Sequence, residues 1–284
     1  MTAMSMKVLH RLALAWMMVA YRGKAVAGAE VPFELGGGVI LVKASVNGMA
    51  PRPFIFDTGA TESLLTPWAA DKAGAGRAEG QRVTCDVALA GQSVSKVTFL
   101  VHDPVQAISL RLDNGIDYAG ILGYPLLSTF LFSIDYGRKR IDWRAFPSEG
   151  TRDPVAAGTI RVPFTLRDRL IHVPVTVNGK GPITFLVDTG SAEVLLLPHA
   201  VETLGLRPLP SNRADGIRFA KVDQIAVGSA RVSDVSVVVH RLQREGSGVL
   251  TYDGILGYPF LSHFRVTFDY RDKMLTLEPL TADR

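Results

Sequence analysis

Two aspartates stand at the same place in two copies of one segment, Phe54-Ile55-Phe56-Asp57-Thr58-Gly59-Ala60 and Phe185-Leu186-Val187-Asp188-Thr189-Gly190-Ser191. Each carboxylate closes an apolar, strand-like run and precedes a Thr-Gly turn, so each leaves a hydrophobic segment in which an unpaired charge is expensive. Set face to face by a two-fold arrangement of the copies, two such groups about 3 Å apart cannot both ionise and must share a proton. One is then a base and the other an acid. The base can take a proton from a trapped water while the acid hydrogen-bonds the carbonyl under attack, which is general acid–base hydrolysis with no covalent intermediate, metal or cofactor. Gly59 and Gly190 let the backbone turn tightly beside the carboxylates. Ala60 and Ser191 leave space, and Thr58 and Thr189 are placed to hydrogen-bond across the axis.

The elements that must hold this pair repeat as well. At a constant offset (57 against 188), Val31-Pro32-Phe33-Glu34-Leu35 matches Val162-Pro163-Phe164-Thr165-Leu166, and Val46-Asn47-Gly48 matches Val177-Asn178-Gly179. The register runs on through Thr66-Pro67-Trp68 and Leu197-Pro198-His199 to Gly74 and Gly205, where proline at a first helical position and glycine past the end predict short helices. Val83 to Val101 and Val222 to His240 alternate apolar and polar residues around Gly91 and Gly228, the pattern of antiparallel hairpins. Gly120-Ile121-Leu122-Gly123-Tyr124-Pro125 then returns as Gly254-Ile255-Leu256-Gly257-Tyr258-Pro259, and each copy ends in a hairpin, Ser133 to Trp143 and Thr267 to Leu277. Strands dominate and long helical periods are absent, which predicts an all-β chain of two lobes related by an approximate two-fold axis, with short helices. The expected boundaries are a leader over 1–29, a first lobe over 30–146, a linker rich in Pro, Gly, Ser and charge over 147–158, and a second lobe over 159–284.

With 284 residues and 47% hydrophobic content, the chain can bury one large core or two smaller ones. Lys7 and Arg11 precede an apolar run from Leu12 to Tyr21 and then Ala25-Val26-Ala27-Gly28-Ala29, the pattern of a secretory signal peptide cut after Ala27 or Ala29. The run is shorter than the roughly 20 residues of a membrane span, although Arg22 and Lys24 beside the cut leave a retained anchor open. A cleaved leader implies a periplasmic or secreted protein with no stable membrane insertion. Four of the 31 basic residues and none of the 27 acidic ones lie in that leader, so the rest of the chain is balanced and no nucleic-acid partner follows from charge. Cys85 is the one cysteine, which excludes an intramolecular disulfide and a cysteine zinc site. It reads as a small buried side chain.

The doubled Asp-Thr-Gly segments, each followed by an Ile-Leu-Gly segment (Ile121-Leu122-Gly123 and Ile255-Leu256-Gly257), resemble the signature of aspartic peptidases of the pepsin and retropepsin kind. A single Asp-Thr-Gly carries little information, but two signatures with both their parts at matching spacing carry much more. The resemblance implies a bilobal acid-protease fold with a β-barrel-like unit in each lobe and a cleft between them. It also implies Asp57 and Asp188 as the catalytic pair, with Thr58, Gly59, Thr189, Gly190 and Ser191 supporting them. The activity implied is that of an aspartic endopeptidase on a peptide or protein substrate, acting as a monomer because both half-sites lie on one chain. Ala60 is retropepsin-like and Ser191 pepsin-like, so Ser191 is expected to hydrogen-bond Asp188 where Ala60 offers Asp57 nothing. No tyrosine lies between Thr58 and Asp117 to act as the pepsin flap tyrosine; by position, Ala75 to Arg82 and Pro208 to Arg218 are the flap candidates.

Blander readings compete. A lone Asp before Thr-Gly caps its own turn. Ser191 lacks the Gly-x-Ser-x-Gly context of a nucleophile. The histidines show no metal-binding spacing, Tyr124 and Tyr258 read as packing residues, and Trp68 reads as a cover for the core. A catalytically silent peptide-binding protein with the same cleft is the alternative function, since fold does not dictate activity. A hydrolase acting on a non-protein amide such as a cell-wall peptide is a third.

Overall fold

The computed structural model describes residues 28–103, 118–148, 157–210, 216–241 and 250–280. Most of the expected leader (1–27), most of the linker (149–156) and the middle of the second flap candidate (211–215) lie outside them. The first half runs β1 (Ala29–Gly36), β2 (Val39–Val46), β3 (Arg52–Phe56), β4 (Ser63–Leu65), helix α1 (Pro67–Lys72), β5 (Arg82–Leu89), β6 (Gln92–Val101), β7 (Gly120–Leu122), helix α2 (Tyr124–Leu127), β8 (Leu131–Asp135) and β9 (Arg140–Arg144). The second half repeats it as β10 (Ile160–Pro163), β11 (Thr165–Arg167), β12 (Leu170–Val177), β13 (Lys180–Val187), β14 (Val194–Leu196), helix α3 (Pro198–Leu204), β15 (Arg218–Val227), β16 (Ala230–Val239), β17 (Gly254–Leu256), helix α4 (Tyr258–Leu261), β18 (Phe264–Asp269) and β19 (Met274–Pro279).

Each half closes a six-stranded ring. The order β2-β3-β7-β4-β6-β5 is closed by β2 pairing with β5, and β12-β13-β17-β14-β16-β15 by β12 pairing with β15. Closure removes the exposed strand edges that would otherwise seek partners. The hairpins expected around Gly91 and Gly228 are β5–β6 and β15–β16; the first turns through Ala90 and Gly91, both at positive φ, as a two-residue hairpin turn requires. Along β5, one face alternates inward and carries Val83, Cys85, Val87 and Leu89 into the core. The predicted short helices form as well. Thr66 caps α1 by accepting from the Ala69 N–H at 3.2 Å, and α3 ends on Gly205 at φ 63°.

The terminal hairpins do not stay within their own rings. β8 pairs antiparallel with β18 across the two halves, setting Ser133 opposite Thr267 and Phe132 opposite Phe268, so that β10-β19-β18-β8-β9-β1 forms one sheet shared by both. On its inner face Phe132 stacks on Phe268 with ring centroids 4.9 Å apart and meets Phe56 edge-on at 5.1 Å, beside Trp143. On its outer face the Ser133 and Thr267 hydroxyls bond at 2.7 Å, and Arg265 pairs with Asp142 and Glu278. The two halves therefore share a core and cannot slide past one another without unzipping a sheet. At its N-terminal end, β1 opens with Ala29 opposite Trp143, so a leader cut after Ala27 would leave this strand whole.

Candidate active site

Asp57 and Asp188 project from the ends of β3 and β13. Each of these strands lies parallel to the short strand that follows it in the motif, with Phe56 opposite Leu122 and Val187 opposite Leu256. The N–H of Asp57 donates to the Leu122 carbonyl at 3.0 Å and that of Asp188 to the Leu256 carbonyl at 3.1 Å. Strand β3 ends in Phe54, Ile55 and Phe56, all buried, because this strand is covered on both faces. Period-two alternation then sends Phe54 and Phe56 into the main core, and Ile55 to the face it shares with Asp57.

The turns after the aspartates interlock about the two-fold axis. The Thr58 hydroxyl donates to the Val187 carbonyl at 3.0 Å and accepts the Thr189 N–H at 3.1 Å; the Thr189 hydroxyl donates to the Phe56 carbonyl at 2.7 Å and accepts the Thr58 N–H at 3.0 Å. Both threonines are buried, so these four bonds replace water that cannot reach the groups. Each is worth about 1 kcal/mol net, and an orphaned partner would cost about 1–3 kcal/mol. One oxygen of each carboxylate accepts from its own turn, the Gly59 N–H on Asp57 and the Gly190 N–H on Asp188, at 2.7 Å in both cases.

Reciprocal contact brings the two carboxylates into one site. A Cβ added at Gly59 would lie 2.5 Å from Cγ of Asp188, and one added at Gly190 would lie 2.5 Å from Cγ of Asp57. Each carboxylate thus sits directly on the other half's glycine, in space that no larger residue would leave. The crossing segments are as tight: a Cβ at Gly123 would meet the Glu62 carbonyl at 2.5 Å, and one at Gly257 the Glu193 carbonyl at 2.2 Å. Just beyond, the Tyr124 and Tyr258 N–H groups donate to the Ala60 and Ser191 carbonyls, each at 2.9 Å.

The expected donation from Ser191 to Asp188 is replaced by another. The buried Ser191 hydroxyl donates to the Glu193 carbonyl at 3.0 Å, a local side-chain-to-backbone bond that a turn serine readily makes. The difference between Ala60 and Ser191 therefore acts on the turn rather than through a serine proton on the carboxylate. Tyr124 and Tyr258 are packing residues of a particular kind, since each meets the other half's buried tyrosine edge-on, Tyr124 with Tyr270 and Tyr258 with Tyr136, at 5.7 Å in both pairs. Burial, followed by neighbouring tyrosine and aspartate charge, pushes the Tyr136 and Tyr270 hydroxyls far above their ordinary range, so both stay neutral. Trp68, the expected cover for the core, is 39% exposed and lies under the Arg52 guanidinium at 5.1 Å. The flap candidate over Ala75 to Arg82 is tied back to the end of β6 by Gly80 to Val101 and Val101 to Gln81 backbone bonds and by a His102–Glu79 pair.

Beside the dyad the structure adds residues that sequence reasoning passed over. Val39, Leu41, Ile55 and Ile121 form a small apolar cluster with Ala60, Leu64 and Tyr118; Leu186, Leu195, Leu197 and Ile255 form its counterpart with Leu170, Val238, Leu250 and Tyr252. Both are separate from the main core and lie on the carboxylate side of β3 and β13, a placement that strand parity around each aspartate would have signalled. Among the differences between the clusters one places an ionisable group: where the first has Leu41, the second half has buried His172, bonded through Nε2 to the Thr251 hydroxyl at 3.0 Å and through Nδ1 to the Leu170 carbonyl at 3.0 Å. Burial lowers the pKa of His172 below its ordinary value. The unfolded chain then binds the proton more readily, so the stability this group contributes is complete above about pH 6.5 and is lost as the pH falls below it. Thermal melts should therefore show a smaller loss of stability between pH 7 and pH 5 in His172→Leu than in the unaltered chain. Equal losses would place the titration elsewhere.

Known proteins match this arrangement at two levels. A family model described as aspartyl protease covers residues 42–126 and 173–260, one match in each half and each spanning an Asp-Thr-Gly turn with its crossing segment. The chain belongs to the aspartyl protease family. Among solved structures, the aspartic proteinase from Irpex lacteus superposes on it with a TM-score of 0.56 over 90% of this chain and 98% of that one, at 14% sequence identity. At that identity the likeness concerns the fold, which is the bilobal acid-protease fold. No curated protein sequence matches the chain. Family and fold together make this aspartyl protease a peptidase of the aspartic class in general terms.

Proposed function

We propose that Asp57 and Asp188 are the acid–base pair of an aspartic endopeptidase whose single site is shared by the two halves of one chain. The observation that carries this reading is the reciprocal seating of each carboxylate on the other half's glycine, held by the four threonine hydrogen bonds. Two carboxylates so placed hold one proton between them at working pH. The ionised one takes a proton from a water lying between them, and the water oxygen attacks the peptide carbonyl carbon. The protonated one hydrogen-bonds the carbonyl oxygen as charge develops on it and stabilises the tetrahedral intermediate. A proton passed back to the amide nitrogen lets the C–N bond break. The apolar clusters around Ile55 and Leu186 flank this centre, which favours substrates with apolar side chains on either side of the scissile bond. On the same reading the mature enzyme works as a monomer outside the cytoplasm, after loss of the leader.

Incubation of the purified chain with a diverse peptide mixture tests the proposal. Cleavage should be faster at acidic than at alkaline pH, because the pair must keep one proton, and a statine-type inhibitor should block it. Binding of that inhibitor with no peptide cleaved at any pH would overturn the hydrolase reading in favour of a binding protein.

A further inference from the structure

Two hairpin tips cross between the halves, and they are not alike. The β1–β2 tip is Gly37-Gly38 and the β11–β12 tip is Asp168-Arg169, the same places in the two copies. All four residues have positive φ, at 58°, 88°, 50° and 68°. Glycine adopts this backbone freely, whereas Asp168 and Arg169 carry the strain that positive φ costs a side chain, in a two-residue hairpin turn that requires it. Gly38 packs directly on Ala192 of the second half, where an added Cβ would come within 3.0 Å of the Ala192 Cβ. Its counterpart Arg169 reaches Thr61, which occupies the place of Ala192 in the first half, and its Nη1 donates to the Thr61 carbonyl at 3.3 Å. The same guanidinium lies over the Tyr124 ring, 5.8 Å from its centroid. Ala60 closes the turn that begins at Asp57 by donating its N–H to the Asp57 carbonyl, Thr61 follows directly, and Tyr124 is fastened to that turn through the Ala60 carbonyl. A single side chain from the second half thus grips both the turn bearing Asp57 and the residue packed against it. The turn bearing Asp188 meets a glycine instead.

We propose that Arg169 is a positioning residue: a one-sided clasp that sets the turn of Asp57 against Asp188 and so fixes the alignment of the two carboxylates. This rests on the reading of Asp57 and Asp188 as the catalytic pair. The Arg169 side chain meets a carbonyl with one N–H and a ring face with its charge, two contacts that call for a donor and a cation at this place. The site tolerates removal of the side chain, since Arg169 is exposed and glycine suits its backbone.

The test compares Arg169→Gly, Arg169→Lys and Asp168→Gly in the full chain, on a peptide it cleaves, beside Asp188→Asn. In Arg169→Gly, kcat should fall about fivefold or more with KM within about twofold and thermal stability unchanged, the pattern of lost transition-state alignment rather than lost substrate contact. Arg169→Lys, which keeps a cation and a donor, should recover at least about half of the wild-type kcat, and Asp168→Gly, which relieves the same strain, should retain it. The clasp is overturned if Arg169→Gly keeps kcat within about twofold, if KM rises while kcat holds, or if the lysine variant is as weak as the glycine one. An active Asp188→Asn would instead overturn the catalytic pair itself, whereas an inactive Asp188→Asn beside a fully active Arg169→Gly would remove only the clasp.

Discussion

Asp57→Asn and Asp188→Asn are each expected to lower kcat by at least about a thousandfold on any peptide the chain cleaves, because each removes a group that must take or give a proton in the rate-limiting step. The substitution is nearly isosteric. An asparagine oxygen can still accept the 2.7 Å bond from the Gly59 or Gly190 N–H and still rest on the glycine of the other half. The fold should therefore survive, and a thermal melt close to that of the unaltered chain would confirm that chemistry and not structure was lost. The losses should be of similar size at the two positions. On the proposed mechanism the pair shares its proton, and a base without its acid is as ineffective as an acid without its base.

The second large effect is steric. At Gly59 an alanine would place its Cβ 2.5 Å from Cγ of Asp188 and within 2.7 Å of both its oxygens, closer than non-bonded atoms come; at Gly190 the same change would strike Asp57. Neither glycine has a positive φ, so the backbone itself tolerates alanine and the clash must be relieved by moving the opposite carboxylate. A displacement near 1 Å in a site of this kind costs about a hundredfold in rate. Gly59→Ala and Gly190→Ala are accordingly expected to lose at least about that much of kcat and to bind a statine-type inhibitor more weakly, with only a modest fall in melting temperature. Measuring kcat and inhibitor affinity together checks this. Unchanged values would mean that the carboxylates do not need the seats on which they lie.

The site was legible in the sequence because its parts lie close along the chain and occur twice. The offset that aligns the two Asp-Thr-Gly turns is the separation of the bonded threonines, Thr58 and Thr189. The hairpins around Gly91 and Gly228 and the proline-led helices were equally visible, since turn and cap chemistry is local. Pairing between distant strands was not. The alternation in Phe264–Asp269 announces a strand with one buried face, but the identity of an edge partner is set by the whole fold, and here β8 chose β18 of the other half. The Ser191 hydroxyl escaped for a related reason: a turn serine has several acceptors in reach, and the Glu193 carbonyl won over a carboxylate. Trp68 sits at a helical place whose counterpart in the second half, His199, is exposed, and no local pattern announced the Arg52 side chain that lies over it. Arg169 left a trace in the sequence only as a mismatch, Asp168-Arg169 against Gly37-Gly38, whose meaning required the contact with Thr61.

The central claim is that two carboxylates from two halves act as one unit, and the double variant Asp57→Asn/Asp188→Asn tests it most directly. Groups that work as a unit give strongly non-additive losses. The account predicts that kcat of the double variant lies within about tenfold of either single variant, all three being near background. Losses that multiply, so that the double variant falls by the product of the two single effects, or a single variant that retains substantial activity, would contradict it.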